Sequence, residues 1–291
     1  MKLANLDNEV FFKKVFTEPD IFRAFVKDIT GVDVVSAKIE TEKTLERKVA
    51  AIRFKLDIYA ESSDKRILIE IQRIDYDYSF DRFMHYFLAA LVDLQRSSKD
   101  YAFEQEVYTI IVLTTPYIVK DDTGKLLQDD VLISNLNPRT LDDRMRGIYP
   151  HRLIFLNPSH TKEETPASIK DWLDLISESI KNPTNPNINF NNPSIAKAAD
   201  VADVEHMPES VLEDAKIAEA TKKTITIYQD KARAETEAKA KAVAEKREEE
   251  VKAKEVQIVL GMKGAGLSVA NIALITQKTE AEVHRIIANK K

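Results

Sequence analysis

Two short runs of period-two alternation, joined by a four-residue polar turn, constrain this chain more tightly than any other stretch. In residues 51–59, Ile52, Phe54, Leu56 and Ile58 share one face, and Arg53, Lys55, Asp57 and Tyr59 share the other. Residues 65–72 repeat the pattern, with Ile67, Ile69 and Ile71 on one side and Leu68, Glu70 and Gln72 opposite. Glu61, Ser62, Ser63 and Asp64 form the turn between them, so the runs read as an antiparallel hairpin. A turn centred between Ser63 and Asp64 sets Asp57 opposite Glu70 and Lys55 opposite Gln72. Opposed residues on one face have Cβ atoms about 4.5–5.5 Å apart, and like charges there destabilise a sheet. A cation held by both carboxylates would offset that repulsion, since hard ions such as Mg²⁺ bind through one or two carboxylates plus substrate phosphate oxygens. The plain alternative is a solvated acidic pair on an exposed face. The apolar run from Ile67 to Ile71 points to a central strand covered on both faces, which shifts the balance toward the cation.

A helix is expected from about residue 79 to 95, with Phe83, Phe87, Leu91 and Leu94 as its core stripe. Arg82, His85, Tyr86 and Ala89 form a neighbouring face. A helix following the acidic strand can bring the Arg82 guanidinium to a phosphate, where its planar fork makes paired hydrogen bonds. The alternative is an ion pair with Asp75, Asp77 or Asp81; His85, beside an apolar face, reads as structural. Upstream, residues 9–26 have helical periodicity with a break at Glu18 and Pro19, offering Phe12, Val15, Phe16, Phe22, Phe25 and Val26 to a core, and Gly31 closes the segment.

Asp57, then Glu70 and Gln72 on the next strand, then Arg82 and Tyr86 on the following helix resemble the PD-(D/E)XK nuclease superfamily. Within it they are most similar to the bacterial recombination-promoting nuclease / putative transposase family, whose pattern carries Gln where most relatives carry Lys. Residues 9–16 are similar to that family's Asp-x-x-Phe-Lys-x-x-Phe signature, with Glu9 at the acidic position. The resemblance covers residues 3–182 and the general look of the C-terminal third. It implies an α/β fold, a three-layer restriction-endonuclease-like core with a mixed central sheet, followed by a long helical arm and a small helical tail. It also implies hydrolysis of DNA phosphodiester bonds with Mg²⁺, or Mn²⁺ in its place. By the same resemblance Asp57, Glu70 and the Ile71 carbonyl would hold the metal, with Glu9 as a further candidate. Gln72 would orient the attacking water, and Arg82 with Tyr86 would steady the substrate. The hairpin register adds Lys55, across from Gln72, as a candidate for the positive charge that Gln72 lacks.

The rest of the chain sets the domain plan. Residues 107–114 read as a buried central strand and 151–156 as a second strand, while 116–150 carry turn signals and little periodicity, as for a long excursion around the sheet. A helix over 168–181 would end a nuclease-like domain at residue 182. Prolines among asparagines make 183–207 a linker. Strong helix formers make 208–263 one charged helix, either a solvated arm or an alanine-seamed coiled coil capable of homo-oligomerisation. Residues 264–291 form a short helix pair spaced like a helix-turn-helix, with Thr279 and Glu282 as a capping box. Glu280 and Glu282 would repel phosphates at the groove-entering position, which favours packing or self-association for this tail.

A net charge of −5 means that any DNA contact must rest on a local basic patch. The absence of cysteine excludes disulfides and thiolate metal sites. No apolar run is long enough to span a bilayer and the N-terminus lacks a signal-peptide pattern, so a cytoplasmic location is expected. Two rival functions stand beside the nuclease: an inert DNA- or protein-binding module on the same fold, and an oligomerising scaffold acting through the long helix.

Overall fold

The computed structural model describes residues 1–35, 37–44, 55–72, 80–94 and 102–289. The chain divides into two compact units, Met1–Ala220 and Thr221–Lys291. In the first, the order is α1 (Glu9–Phe16), α2 (Pro19–Thr30), β1 (Lys38–Thr44), β2 (Lys55–Glu61), β3 (Lys65–Gln72), α3 (Asp81–Leu94), β4 (Glu106–Leu113), β5 (Val131–Asn135), β6 (Arg152–Leu156), α4 (Ala167–Lys181) and α5 (Pro193–Val201). The strands form one mixed sheet in the order β1-β2-β3-β4-β6-β5. Strands β3, β4 and β6 run parallel, and β1, β2 and β5 pair antiparallel. The covered parallel strands each carry a continuous apolar run, residues 67–69 in β3, 110–113 in β4 and 153–156 in β6, as both-face burial favours.

Two cores lie on opposite faces of the sheet, which makes the unit three-layered. On one face Phe12, Val15 and Phe16 of α1 join Phe22 and Phe25 of α2, Trp172 of α4 and the Ile67, Ile69 and Ile71 side of β3. The aromatic rings there interlock, with centroids 4.3 Å apart for Phe12 and Phe16, 4.8 Å for Phe16 and Phe25, and 5.4 Å for Phe25 and Trp172. On the other face Phe83, Phe87, Leu91 and Leu94 of α3 cover Leu68, Ile111 and Phe155. Buried Arg66 ties α3 to the sheet through Asp93 at 2.9 Å, and also pairs with Glu61 at 3.0 Å.

The helix break at Pro19 and the closure at Gly31, which takes φ +77°, fall where the sequence places them. Three differences have physical reasons. Charged β1 is an edge strand, and so is half-exposed β5 inside the 116–150 excursion; edge strands need no continuous apolar pattern. The stretch expected as a linker contains α5, whose Ile195, Ala198 and Ala199 are buried in the α1-side core. Its asparagines and prolines serve as start signals, because Asn192 caps the helix at the Ser194 amide and Pro193 occupies the first turn. The N-terminus pairs with the same region, through Ala4 N–H to Ala202 O and Val204 N–H to Lys2 O. The start of the first expected strand (51–54), the loop over 73–79 and residue 95 lie outside the described residues.

Helix α6 (Glu209–Gly264) continues into the second unit, with α7 (Val269–Thr276) and α8 (Glu280–Ala288) after it. Its exposed length carries i,i+4 pairs such as Arg233–Glu237 at 3.0 Å and Lys252–Glu248 at 2.5 Å. Val259, Ile272 and Val283 form the small core of the tail, and Thr279 and Glu282 make the expected capping box. Among the described residues no helix is long and apolar enough to cross a membrane.

Candidate active site

The acidic pair sits where the β2–β3 hairpin stops being a regular ladder. Pairing runs from Glu61 opposite Arg66 to Ile58 opposite Ile69, in the register expected from the turn. At the next position the side chains replace the ladder bonds. Asp57 N–H donates to Glu70 Oε1 at 2.9 Å, and Ile71 N–H donates to Asp57 Oδ2 at 3.1 Å. The two carboxylates are thus fixed by each other's strand. The pleat also breaks here: Leu56 and Tyr59 pack on the α3 side while Ile58 and Ala60 pack on the α1 side, where strict alternation would keep Leu56 with Ile58.

Glu70 is 6% exposed. Burial pushes its carboxyl well above the usual carboxylate range, and the neighbouring Asp57 charge adds to this; the Asp57 amide, Arg82 and Lys13 pull the other way. A carboxyl this poorly solvated, beside a second one, stays ionised only with a cation to offset the charge. The donor set suits a hard divalent ion such as Mg²⁺, which takes one or two carboxylates and completes its shell with water and phosphate oxygens. Among the described residues no group of three or more His, Cys, Asp or Glu is arranged to hold a metal. The fit therefore rests on the two carboxylates alone.

The other expected residues are distributed as follows. Gln72 ends β3, partly buried, and its carbonyl accepts from Thr114 N–H at 3.2 Å. Arg82 and Tyr86, one turn apart on α3, are joined by guanidinium N–H donors 2.9 and 3.1 Å from the phenol oxygen. Burial pushes the Tyr86 phenol up, and Arg82 opposes that. Arg82 pulls the Glu70 pKa down and the Glu70 charge pushes the Tyr86 phenol up, so both lie within electrostatic reach of Glu70. Asp75 and Asp77, the rival partners for Arg82, lie outside the described residues. Glu9 opens α1 with its side chain 55% exposed, 3.7 Å from Lys13. Lys55 is 64% exposed at the start of β2 and pairs with Glu42.

Two residues at the site carry no assignment from sequence. Lys13 Nζ lies 3.2 Å from Asp57 Oδ1 and also contacts Glu42, and its side chain is only 12% exposed. A signal existed, because Lys13 is the lysine of the 9–16 signature and lies one helical turn from Glu9. Glu42 takes φ +59°, a left-handed conformation that costs a non-glycine residue about 1–3 kcal/mol. The β1–β2 ladder is regular on either side, with Thr41 opposite Ile58 and Lys43 opposite Leu56, so Glu42 stands across from Asp57. Nothing in the local sequence marks that strain.

Two strands of a mixed sheet are thus pinned together through their own carboxylates, within electrostatic reach of an arginine–tyrosine pair. The family model described as PD-(D/E)XK nuclease family transposase matches residues 7–245, and the chain belongs to that family. No curated protein matches the chain.

Proposed function

We propose that this protein is a metal-dependent DNA endonuclease whose centre is Asp57 and Glu70. The observation that carries the reading is the reciprocal lock between them, Asp57 N–H to Glu70 and Ile71 N–H to Asp57, in a chain of a nuclease family. Such bonds hold both carboxylates in fixed positions before any ligand arrives, and that preorganisation is what an electrostatic catalyst needs. When bound, Mg²⁺ or Mn²⁺ would acidify a water and polarise the scissile phosphate. Asp57, Glu70 and the Ile71 carbonyl are the protein groups that would hold the ion, with Glu9 further out. Gln72, neutral and unable to act as a base, orients the water through its amide. Arg82 neutralises phosphate charge, and the Tyr86 phenol fixes the guanidinium plane.

The test is incubation of purified protein with supercoiled plasmid, with Mg²⁺ or with chelator, beside Asp57→Ala. Nicking or cutting that needs the metal and disappears in the variant is expected. Equal cleavage by Asp57→Ala would end the assignment, and no cleavage by the wild type under any metal would leave a binding module on a nuclease fold.

A further inference from the structure

Asp57 has two oxygens and two different partners. Oδ2 accepts the Ile71 amide, so Oδ1 is the oxygen turned toward the open side of the pair, and Lys13 Nζ sits 3.2 Å from it. The same ammonium touches Glu42 and lies 3.7 Å from Glu9. Three carboxylates, from α1, β1 and β2, therefore converge on one lysine. The stem of Lys13 is carried by a helix whose Phe12, Val15 and Phe16 are fully buried, so α1 is fixed and only the flexible end of the side chain can swing. Glu42 reaches the cluster through its left-handed backbone, a conformation that sheet pairing alone gives no reason to adopt.

A divalent ion and an ammonium compete for Asp57 Oδ1, because like charges at such range repel in a partly buried site. Resting on the metal-dependent reading above, we propose that Lys13 is the resident counter-ion of the acidic pair, that an incoming divalent cation displaces it from Asp57, and that Glu42 is the positioning residue that receives it. The move is short, since Nζ already contacts both acceptors. It keeps a positive charge at the rim of the site, where a phosphodiester oxygen would arrive. It also offers a reason for the strain at Glu42: a carboxylate is needed across from Asp57 but aimed at the lysine. The exposed Lys55, also paired to Glu42, helps hold that carboxylate in place.

The experiment is titration of Mn²⁺ into the full chain by calorimetry, for the wild type, Lys13→Met, Lys13→Arg and Glu42→Gln, with single-turnover plasmid cleavage on the same samples. Removing a competing ion pair should tighten Mn²⁺ binding by Lys13→Met about fivefold or more. Lys13→Arg, which keeps the charge, should bind Mn²⁺ as the wild type does. Glu42→Gln changes a half-exposed side chain and should weaken Mn²⁺ binding, because Lys13 loses its second acceptor. Cleavage by Lys13→Met should fall despite the tighter metal. An Mn²⁺ affinity in Lys13→Met equal to or weaker than wild type overturns the inference. If that variant does not fold, unchanged or tighter binding by Glu42→Gln overturns it. A wild type that binds and cleaves while Lys13→Met keeps the wild-type affinity sinks the counter-ion role alone; a wild type that neither binds Mn²⁺ nor cleaves overturns the nuclease reading as well.

Discussion

Replacing Glu70 by Gln should stabilise the protein in metal-free buffer. Glu70 is almost fully buried beside Asp57 and its pKa is pushed well above the usual carboxylate range, so near neutral pH the fold must either hold an anion that water can barely reach or take up a proton. The effective penalty for burying one such charge is several kcal/mol. Part of it is offset by the charge-assisted bond from Asp57 N–H, a class of bond that contributes about 1.5–3 kcal/mol, and by Arg82 and Lys13. Glutamine keeps the side-chain oxygen that accepts the Asp57 amide and removes the charge, so about 1–3 kcal/mol of stability should be gained. At about 2–4 °C per kcal/mol for a unit of this size, the melting temperature should rise by roughly 2–12 °C. Differential scanning calorimetry with chelator, then with millimolar Mg²⁺, is the assay. The wild type should gain stability from the metal by mass action, and Glu70→Gln should gain little. A variant less stable than wild type in chelator would refute the reasoning, because the Glu70 charge would then be net favourable without a metal.

Three further expectations concern the scaffold and the substrate. His151 is buried, accepts the Val107 amide at Nδ1 (3.1 Å), and has its pKa lowered by burial, so the folded state prefers it neutral. Its contribution is present above the ordinary value of about 6.5 and is lost as pH falls through the lower folded value; melting curves from pH 7.5 downward should be flatter for His151→Gln than for wild type. Truncation after Ala220 should leave the first unit cooperatively folded, whereas truncation after Asn182 strips Ile195, Ala198 and Ala199 from the core and should abolish a sharp transition by circular dichroism. Phe16→Ala, which removes a ring stacked on Phe12 and set against Phe25, should cost about 3–5 kcal/mol in urea unfolding; a loss under 1 kcal/mol would contradict the α1-side core described above.

What the sequence discloses here follows the physics of burial. The acids are legible because Asp57 and Glu70 interrupt apolar strands, and the hairpin register follows from a four-residue turn. The aromatic faces of α1, α2 and α3 are legible from their period. Strand β1 is not, because an edge strand rich in Lys and Glu carries the same composition as a loop. Helix α5 is hidden by the residues that start it, Asn192 and Pro193, which read as breakers when the buried Ile195 and alanines beyond them are few. The hairpin alternation points to Lys55 as the positive charge of the site, whereas the ammonium on Asp57 is that of Lys13 and Lys55 pairs with Glu42. Contact between Lys13 and Asp57 depends on how α1 lies against the sheet, and one strand's alternation holds no information on that.

The central claim, that Asp57 and Glu70 form one cation centre, is tested most directly by anomalous diffraction from crystals grown with Mn²⁺. The account predicts a single strong peak within coordination distance of both carboxylates, with the Lys13 ammonium no longer on Asp57. A peak elsewhere, or none between the two carboxylates at saturating Mn²⁺, would contradict it.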